Sequence, residues 1–175
     1  MIDIPVLETD RLILRGFRES DVAPMTAFFA GEESRFYGGP LDEAQAWRRL
    51  ATYAGQWLIN GFGEWALESK ETGDFVGFCG PWFPPDLPEP EIAWALLPEH
   101  YGRGLAAEAA KRAIRHVYED LGWSTAMSLI EPANEASIRL ATRLGATFER
   151  DYREHEWNAR IYRHLPPTHF LEQAA

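Results

Sequence analysis

The stretch ALLPEHYGRGLAAEAAKRAIRHV (95–117) constrains this chain more than any other. An apolar run ends at Pro98, two glycines flank Arg103, and an amphipathic helix follows at once. Leu105, Ala109, Ala113, Val117 and Leu121 recur at helical spacing with Ile114 beside them. Glu108, Lys111, Arg112, Arg115 and Glu119 fall outside that stripe. Gly102 and Gly104 thus sit at a helix N-terminus, where the first amides lack intrahelical partners and the dipole is positive. Glycine also lets another group approach the backbone closely. Together these make an anion site suited to a phosphate or pyrophosphate, with Arg103 adding charge. A plain strand-to-helix turn uses the same glycines, and this stretch by itself weighs the two equally.

Around it, the hydrophobic pattern predicts a series of elements. RLILRGF (11–17) alternates as a strand with one buried face. ESDVAPMTAFFAGEE (19–33) is expected to be helical, capped by Ser20 or Asp21, and SRFYGGP (34–40) to be a loop. DEAQAWRRLATYAGQWLI (42–59) predicts a second helix capped by Asp42, with Trp47, Leu50, Ala51, Ala54, Trp57 and Leu58 on one stripe. FGEWALES (62–69) and FVGFCGPWF (75–83) pair around the turn KETGD. PPDLPEP (84–90) is a proline-rich loop and EIAWALL (91–97) a third strand. After the helix, which runs to about Leu121, STAMSLI (124–130) is a strand. NEASIRLATRLG (134–145) is a helix stopped by Gly145, and ATFERDY and ARIYRHL form a final strand pair. Antiparallel strands followed by β-α-β-α-β predict a mixed α/β (α+β) domain over residues 1–175, with no dividing linker.

Bulk composition narrows the function classes. A chain of 175 residues, 46% hydrophobic and 25% charged, suits one soluble domain with a sizeable core. No apolar run reaches the ~20 residues of a membrane span, and MIDIPVLETDRL lacks the features of a signal peptide. Cys79 is the lone cysteine, which excludes an internal disulfide and points to the cytoplasm; its apolar strand predicts a buried small hydrophobe. A net charge of −10 argues against sequence-independent nucleic-acid binding and suits cationic partners, amines included. His100, His116, His155, His164 and His169 show no metal-type spacing, so no metal site is expected.

Three phosphate-binding patterns compete for the glycines. G-x-x-x-x-G-K-[ST] is absent. Gly102-x-Gly104-x-x-Ala107 fits the dinucleotide fingerprint, with Glu131 as a mimic of its ribose-binding acid. However, Pro98-Glu99-His100-Tyr101 separates strand from glycines, and too little chain follows Glu131 for a second mononucleotide half. The third pattern fits best. Tyr101-Gly102-Arg103-Gly104-Leu105-Ala106 resembles motif A of the GNAT superfamily of acyl-CoA-dependent N-acetyltransferases, Q/R-x-x-G-x-G/A between a strand and a helix. Tyr101 departs from the usual Gln or Arg in the manner of the RimJ/RimL-type branch, whose run P-x-Y-W-G-K-G-Y-A-x-E-A is similar to residues 98–109 here. LETDRLILRGFRESD (7–21) resembles that branch's opening T-x-R-L-x-L-R, and NEASIRLATRLGA (134–146) its N-x-x-S-x-x-x-x-x-x-L-G-F, with Ala146 replacing Phe.

The resemblance implies a central, mostly antiparallel sheet flanked by helices and splayed between two parallel strands to admit the cofactor. It implies acetyl-CoA as acyl donor and direct attack by a primary amine, with no covalent acyl-enzyme. The backbone of Ala95, Leu96 and Leu97 would pair with the pantetheine arm. Amides of Gly102 through Ala107 (Gly102, Arg103, Gly104, Leu105, Ala106, Ala107), next to Tyr101, would hold the pyrophosphate. Asn134 would bond the pantetheine, although an Asn there also serves as an N-cap.

A lysine-type amine has a pKa near about 10.4 and a peptide N-terminus near about 7.8, so deprotonation needs a base. Glu91 resembles the strand glutamate that fills that role, and its apolar flanks favour a raised pKa; Glu89 competes with it. The family's usual acid, a tyrosine seven residues after the asparagine, is Ala141 here, and Ser137 is the substitute the branch suggests. Trp82, Phe83, Phe36 and Tyr37 are candidate walls for the acceptor, either a protein N-terminus or a small amine. A non-catalytic acyl-CoA-binding or regulatory module and a small nucleotide-binding domain are the competing functions. The sequence leaves a monomer and a homodimer open.

Overall fold

The structure, a computed structural model, describes residues 4–154 and 157–173, which leaves His155 outside. Eight strands form one open sheet: β1 Leu7–Glu8, β2 Leu12–Arg15, β3 Trp65–Ser69, β4 Phe75–Trp82, β5 Glu91–Leu96, β6 Met127–Ile130, β7 Thr147–Glu154 and β8 Trp157–Arg163. Their order is β1-β2-β3-β4-β5-β6-β8-β7, antiparallel throughout except at β5–β6. Five α-helices are described: α1 Val22–Ala30, α2 Glu43–Asn60, α3 Leu105–Glu119, α4 Glu135–Arg143 and α5 Pro167–Gln173.

Side-chain alternation sorts the core into two layers. Trp65 and Leu67 of β3, with Ile92, Trp94 and Leu96 of β5, pack with Leu105, Ala109, Ala113, Ile114 and Val117 of α3. Ala66, Phe78 and Ala95 face the other way, against Met25, Phe28 and Phe29 of α1 and Leu50 and Tyr53 of α2. Both faces of β3–β5 are covered, so these strands are nearly continuous apolar runs.

The opening motif is a set of clamps. Thr9 Oγ1 donates to Glu108 Oε1 (2.5 Å), as does Arg11 N (2.8 Å), while Arg11 Nε reaches Glu108 Oε2 (2.7 Å). Arg11 also donates to the Arg103 carbonyl (2.8 Å). Two stretches nearly a hundred residues apart in sequence thus hold each other at the head of α3. Arg15, 3% exposed, grips Asp21 through both Nη atoms (2.7 and 2.9 Å) and Glu68 through Nε (2.6 Å). Asp21 is 1% exposed. Without Asp21 both Nη atoms of the buried guanidinium lose their carboxylate and Glu68 alone remains; breaking such a buried pair costs about 3–5 kcal/mol. Asp21→Ala is therefore expected to lower Tm by about 10 °C in a thermal melt, given ~2–4 °C per kcal/mol at this size.

Several expectations need correction. The helix expected over 19–33 is a 3-10 turn Glu19–Asp21, then α1, then a break at Gly31. A further 3-10 segment, Glu32–Tyr37, fills most of the expected loop. Asp21 makes no side-chain cap because Arg15 and the Arg18 amide take its carboxylate. Asp42 does cap α2, accepting from Gln45 N (2.8 Å). The buried arc of α2, however, runs through Ala46, Leu50, Tyr53, Gln56 and Trp57, while Trp47 and Leu58 are 57% and 70% exposed. Tyr53 and Gln56 carry polar groups yet lie inward, because Phe83 N donates to Gln56 Oε1 (2.9 Å) and the Tyr53 ring packs tilted against Phe78 and edge-on against Trp82. The strand expected from 124 starts at Met127, and neither β1 nor α5 was signalled by periodicity.

Candidate active site

β5 and β6 run parallel but share one Cα partner pair, Glu91↔Met127, and then part. Which β5 groups face the gap follows from its other edge. Leu97 N donates to Val76 O (2.9 Å), and the register runs Gly77↔Leu96, Phe78↔Ala95, Cys79↔Trp94. Antiparallel pairing alternates, so Leu97 and Ala95 turn their backbone groups to β4, whereas Leu96, Trp94 and Ile92 turn theirs to β6. Ile92 O accordingly accepts from Ser128 Oγ (2.7 Å) on β6. Of the three residues expected to present backbone to a pantetheine arm, Leu96 turns its backbone to the gap, as Trp94 does, while Ala95 and Leu97 turn theirs to β4. The Leu97 carbonyl also accepts from His100 N (3.0 Å).

The gap leads to the glycine turn. A 3-10 segment, Pro98–His100, carries the chain to Tyr101, and Gly102 and Gly104 take φ of +73° and +79°. That left-handed region favours glycine. Gly104 is the N-cap of α3 and offers no side chain, so the first-turn amides of Leu105, Ala106 and Ala107 lack an intrahelical acceptor. A Cβ on Gly102 would meet nothing within 4 Å, and one on Gly104 only Arg11 Nη2 at 3.6 Å. Open space, free donors, a positive helix end and the guanidinium groups of Arg11 and Arg103 fit a polyphosphate.

Glu91 and, some forty residues on in sequence, the helix-cap pair Asn134 and Ser137 line one cleft at the gap with Phe36, Tyr37, Ser128, Leu129 and Glu131. Glu91 Oε2 accepts from Leu129 N (2.9 Å). Burial pushes its carboxyl up to about 7, and the Leu129 bond opposes that rise. Asn134 Oδ1 accepts from Ser137 N (3.2 Å), capping α4. Ser137 Oγ accepts from Trp94 Nε1 (3.2 Å), which leaves its own proton to donate. Ala141 is fully buried in the layer beneath α3, a packing position. Glu89 is tied to Arg163 by two bonds (2.6 and 2.8 Å), so it does not compete with Glu91. Among the described residues, no group of three His, Cys, Asp or Glu is placed to hold a metal, and no helix is long and apolar enough to cross a membrane.

The acetyltransferase (GNAT) domain family model matches residues 11–147. The chain belongs to the GNAT acetyltransferase family. It is 31% identical over 145 residues to the uncharacterized N-acetyltransferase YoaA of Bacillus subtilis (strain 168), covering 81% of this chain and 82% of that protein. A crystal structure of an acetyltransferase from Agrobacterium tumefaciens superposes with a TM-score of 0.87 at 32% identity, covering 94% of this chain and 96% of that one. RimL, a ribosomal L7/L12 α-N-protein acetyltransferase solved with coenzyme A, shares the fold (TM-score 0.76) at 13% identity, covering 92% and 98%. The sheet of this GNAT protein, open and antiparallel but for β5–β6, is the family fold, and acyl transfer is the family's chemistry.

Two residues of this acetyltransferase escaped the sequence reading as chemistry. Tyr37, expected as a wall, sets its phenol against Ser137 and Asn134, and burial raises its pKa. Glu64, 1% exposed, lies on the α1/α2 face with one carboxylate oxygen unpartnered. Gly80 makes room for it, since a Cβ there would come within 2.8 Å of Glu64 Cα. Burial first, then the Glu91 charge, hold the Glu64 carboxyl well above the usual range, while Arg49 opposes. A raised carboxyl stabilises the fold while protonated and loses that contribution as pH climbs from the ordinary value through the folded one. Glu64→Gln, which stays neutral, is therefore expected to raise Tm at pH 8 by about 3 °C, or ~1 kcal/mol at this size, with no gain near pH 4. Thermal melts at the two pH values check it.

Proposed function

We propose that this protein moves an acetyl group from acetyl-CoA to a primary amine by direct attack, residues 1–175 working as one cytoplasmic acetyltransferase domain of the RimJ/RimL-like branch. The observation that carries the reading is Glu91: a carboxyl pushed up to about 7, at the head of a gap between parallel strands that ends at uncapped helix amides. A base of that pKa is half ionised near neutral pH and suits proton removal from an ammonium.

The parts divide the work as follows. Amides of Gly102 through Ala107, with Arg103 and Tyr101 beside them, hold the pyrophosphate. Backbone groups of Leu96 and Trp94 pair with the pantetheine, and Asn134 bonds it from the far side. Glu91 takes the proton of the acceptor ammonium, directly or through water, and the neutral nitrogen attacks the thioester carbonyl. Ser137, oriented by the Trp94 indole, gives its proton to the departing thiolate and is reprotonated by the proton that the attacking nitrogen sheds as the tetrahedral intermediate collapses to the amide; a thiol pKa near about 8.5 keeps that demand modest. The RimL structure with coenzyme A supports the donor and a protein N-terminus as acceptor; the net charge of −10 suits small cationic amines equally.

Free-thiol release from acetyl-CoA over a panel of alkyl amines, aminoglycosides and N-terminal peptides tests the reading. Amine-dependent release is expected. Acetyl-CoA should also raise Tm, and NAD or ATP should not. Stabilisation by NAD without stabilisation by acetyl-CoA overturns the assignment.

A further inference from the structure

With backbone pairing confined to Glu91↔Met127, something else must set where β5 and β6 part. Two side-chain bonds, one buried and one part-buried, do so from opposite strands. Glu91 on β5 accepts from Leu129 N on β6 (2.9 Å), and Ser128 Oγ on β6 contacts Ile92 O on β5 (2.7 Å). A carbonyl only accepts, so the Ser128 proton goes to Ile92. Ser128 Oγ also lies 2.9 Å from His164 Nε2. Its proton being spent, it accepts there, and His164 must carry its proton on Nε2. His164 Nδ1 is then a bare acceptor, and it is indeed buried without a partner. His164 is 3% exposed and anchored to the residue just before β6, its N donating to Ala126 O (3.0 Å). The imidazole meets the Trp94 ring edge-on at 6.3 Å.

We propose that Ser128, held by His164, is a positioning residue for Glu91: it latches β6 to β5 at the head of the gap and so keeps the Leu129 amide on the Glu91 carboxylate. The inference rests on Glu91 being the base. Ser128 and Leu129 are consecutive, so a hydroxyl drawn to Ile92 fixes the height of β6 against β5 and with it the aim of the next amide. Losing the latch lets that amide drift, and the bond that opposes the rise in Glu91 weakens. Glu91 then becomes a stronger base but is ionised less often near neutral pH. The other titratable groups around it are Glu64 and Tyr37 on the α1/α2 face and Glu131 in the cleft. On β8, Arg163 is engaged with Glu89 and Glu149. Burial keeps His164 down at about 4, so the latch does not itself titrate between pH 6 and 9.

The test follows the Glu91 carboxyl by carbon-13 NMR titration, assigned with Glu91→Gln, beside the pH profile of thiol release. Ser128→Ala is expected to raise the Glu91 titration midpoint by about one unit, the scale of one hydrogen bond to a charged group. His164→Leu, which removes the donor holding Ser128, should shift it the same way. Ser128→Thr keeps the hydroxyl, and His164→Gln keeps a donor near Nε2, so both should hold the wild-type midpoint. An unmoved midpoint in Ser128→Ala, or in His164→Leu where the first does not fold, overturns the proposal even if Tm falls, since packing alone would lower Tm. If Glu91→Gln retains full turnover while the midpoint still shifts, the base assignment falls and the latch stands.

Discussion

Gly104→Asp is expected to weaken acetyl-CoA binding at least ~100-fold, the largest effect on binding anticipated in this protein. The substitution places a carboxylate at the N-cap of α3, beside first-turn amides that lack an intrahelical acceptor. It acts twice: it repels a pyrophosphate, and it competes for the first-turn donors. Like charges about 5 Å apart near a surface cost several kcal/mol, and ~2.7 kcal/mol already gives the hundredfold. Backbone strain is the confounding effect, because Gly104 sits at φ +79°. Asn tolerates that region about as well as Asp and carries no charge, so Gly104→Asn should bind acetyl-CoA much more tightly than Gly104→Asp. Calorimetric titration of both variants separates strain from charge. Undiminished affinity in the Asp variant removes the pyrophosphate from this turn.

Glu91→Gln should leave acetyl-CoA affinity unchanged and lower kcat by about 10²–10³-fold, the usual contribution of a positioned base. Gln still offers an oxygen to Leu129 N, so the head of the gap keeps its geometry. In the wild type, kcat/KM should rise as pH passes through about 7, since the carboxyl must lose its proton before it can take one. That limb should vanish in the variant. The loss should be greater for an alkyl amine of pKa about 10.4 than for a peptide N-terminus near about 7.8, which is partly neutral without help. Steady-state kinetics with one acceptor of each kind would show it. Equal turnover in wild type and variant removes Glu91 from the base role.

How far the site could be read from sequence depended on how local each cause was. The helix after Gly104 declared its buried stripe because each member lies three or four residues from the next, and Leu105, Ala109, Ala113 and Val117 are all buried as expected. Asn134 and Ser137 cap one helix within a single turn, so their spacing carried them together. The α2 stripe failed because burial there follows two surrounding layers, not hydrophobicity, and it draws Tyr53 and Gln56 inward. The parity of β5 failed for a related reason: nothing within EIAWALL says which edge meets β4, and the bond from Leu97 to Val76 decides it.

By itself, then, the sequence determined the elements whose periodicity is short, the glycine turn at a helix mouth, and the candidate trio Glu91, Asn134 and Ser137. Those follow from backbone geometry and from forces acting over one or two turns. Tertiary structure alone decided that Trp94 and Leu96 face the gap, that the Glu91 charge adds to the burial that raises the Glu64 carboxyl, and that Ser128 and His164 brace the strands where they part. These depend on register and on burial, and both are properties of strands brought together from distant parts of the chain, where a shift of one residue exchanges every inward group for an outward one.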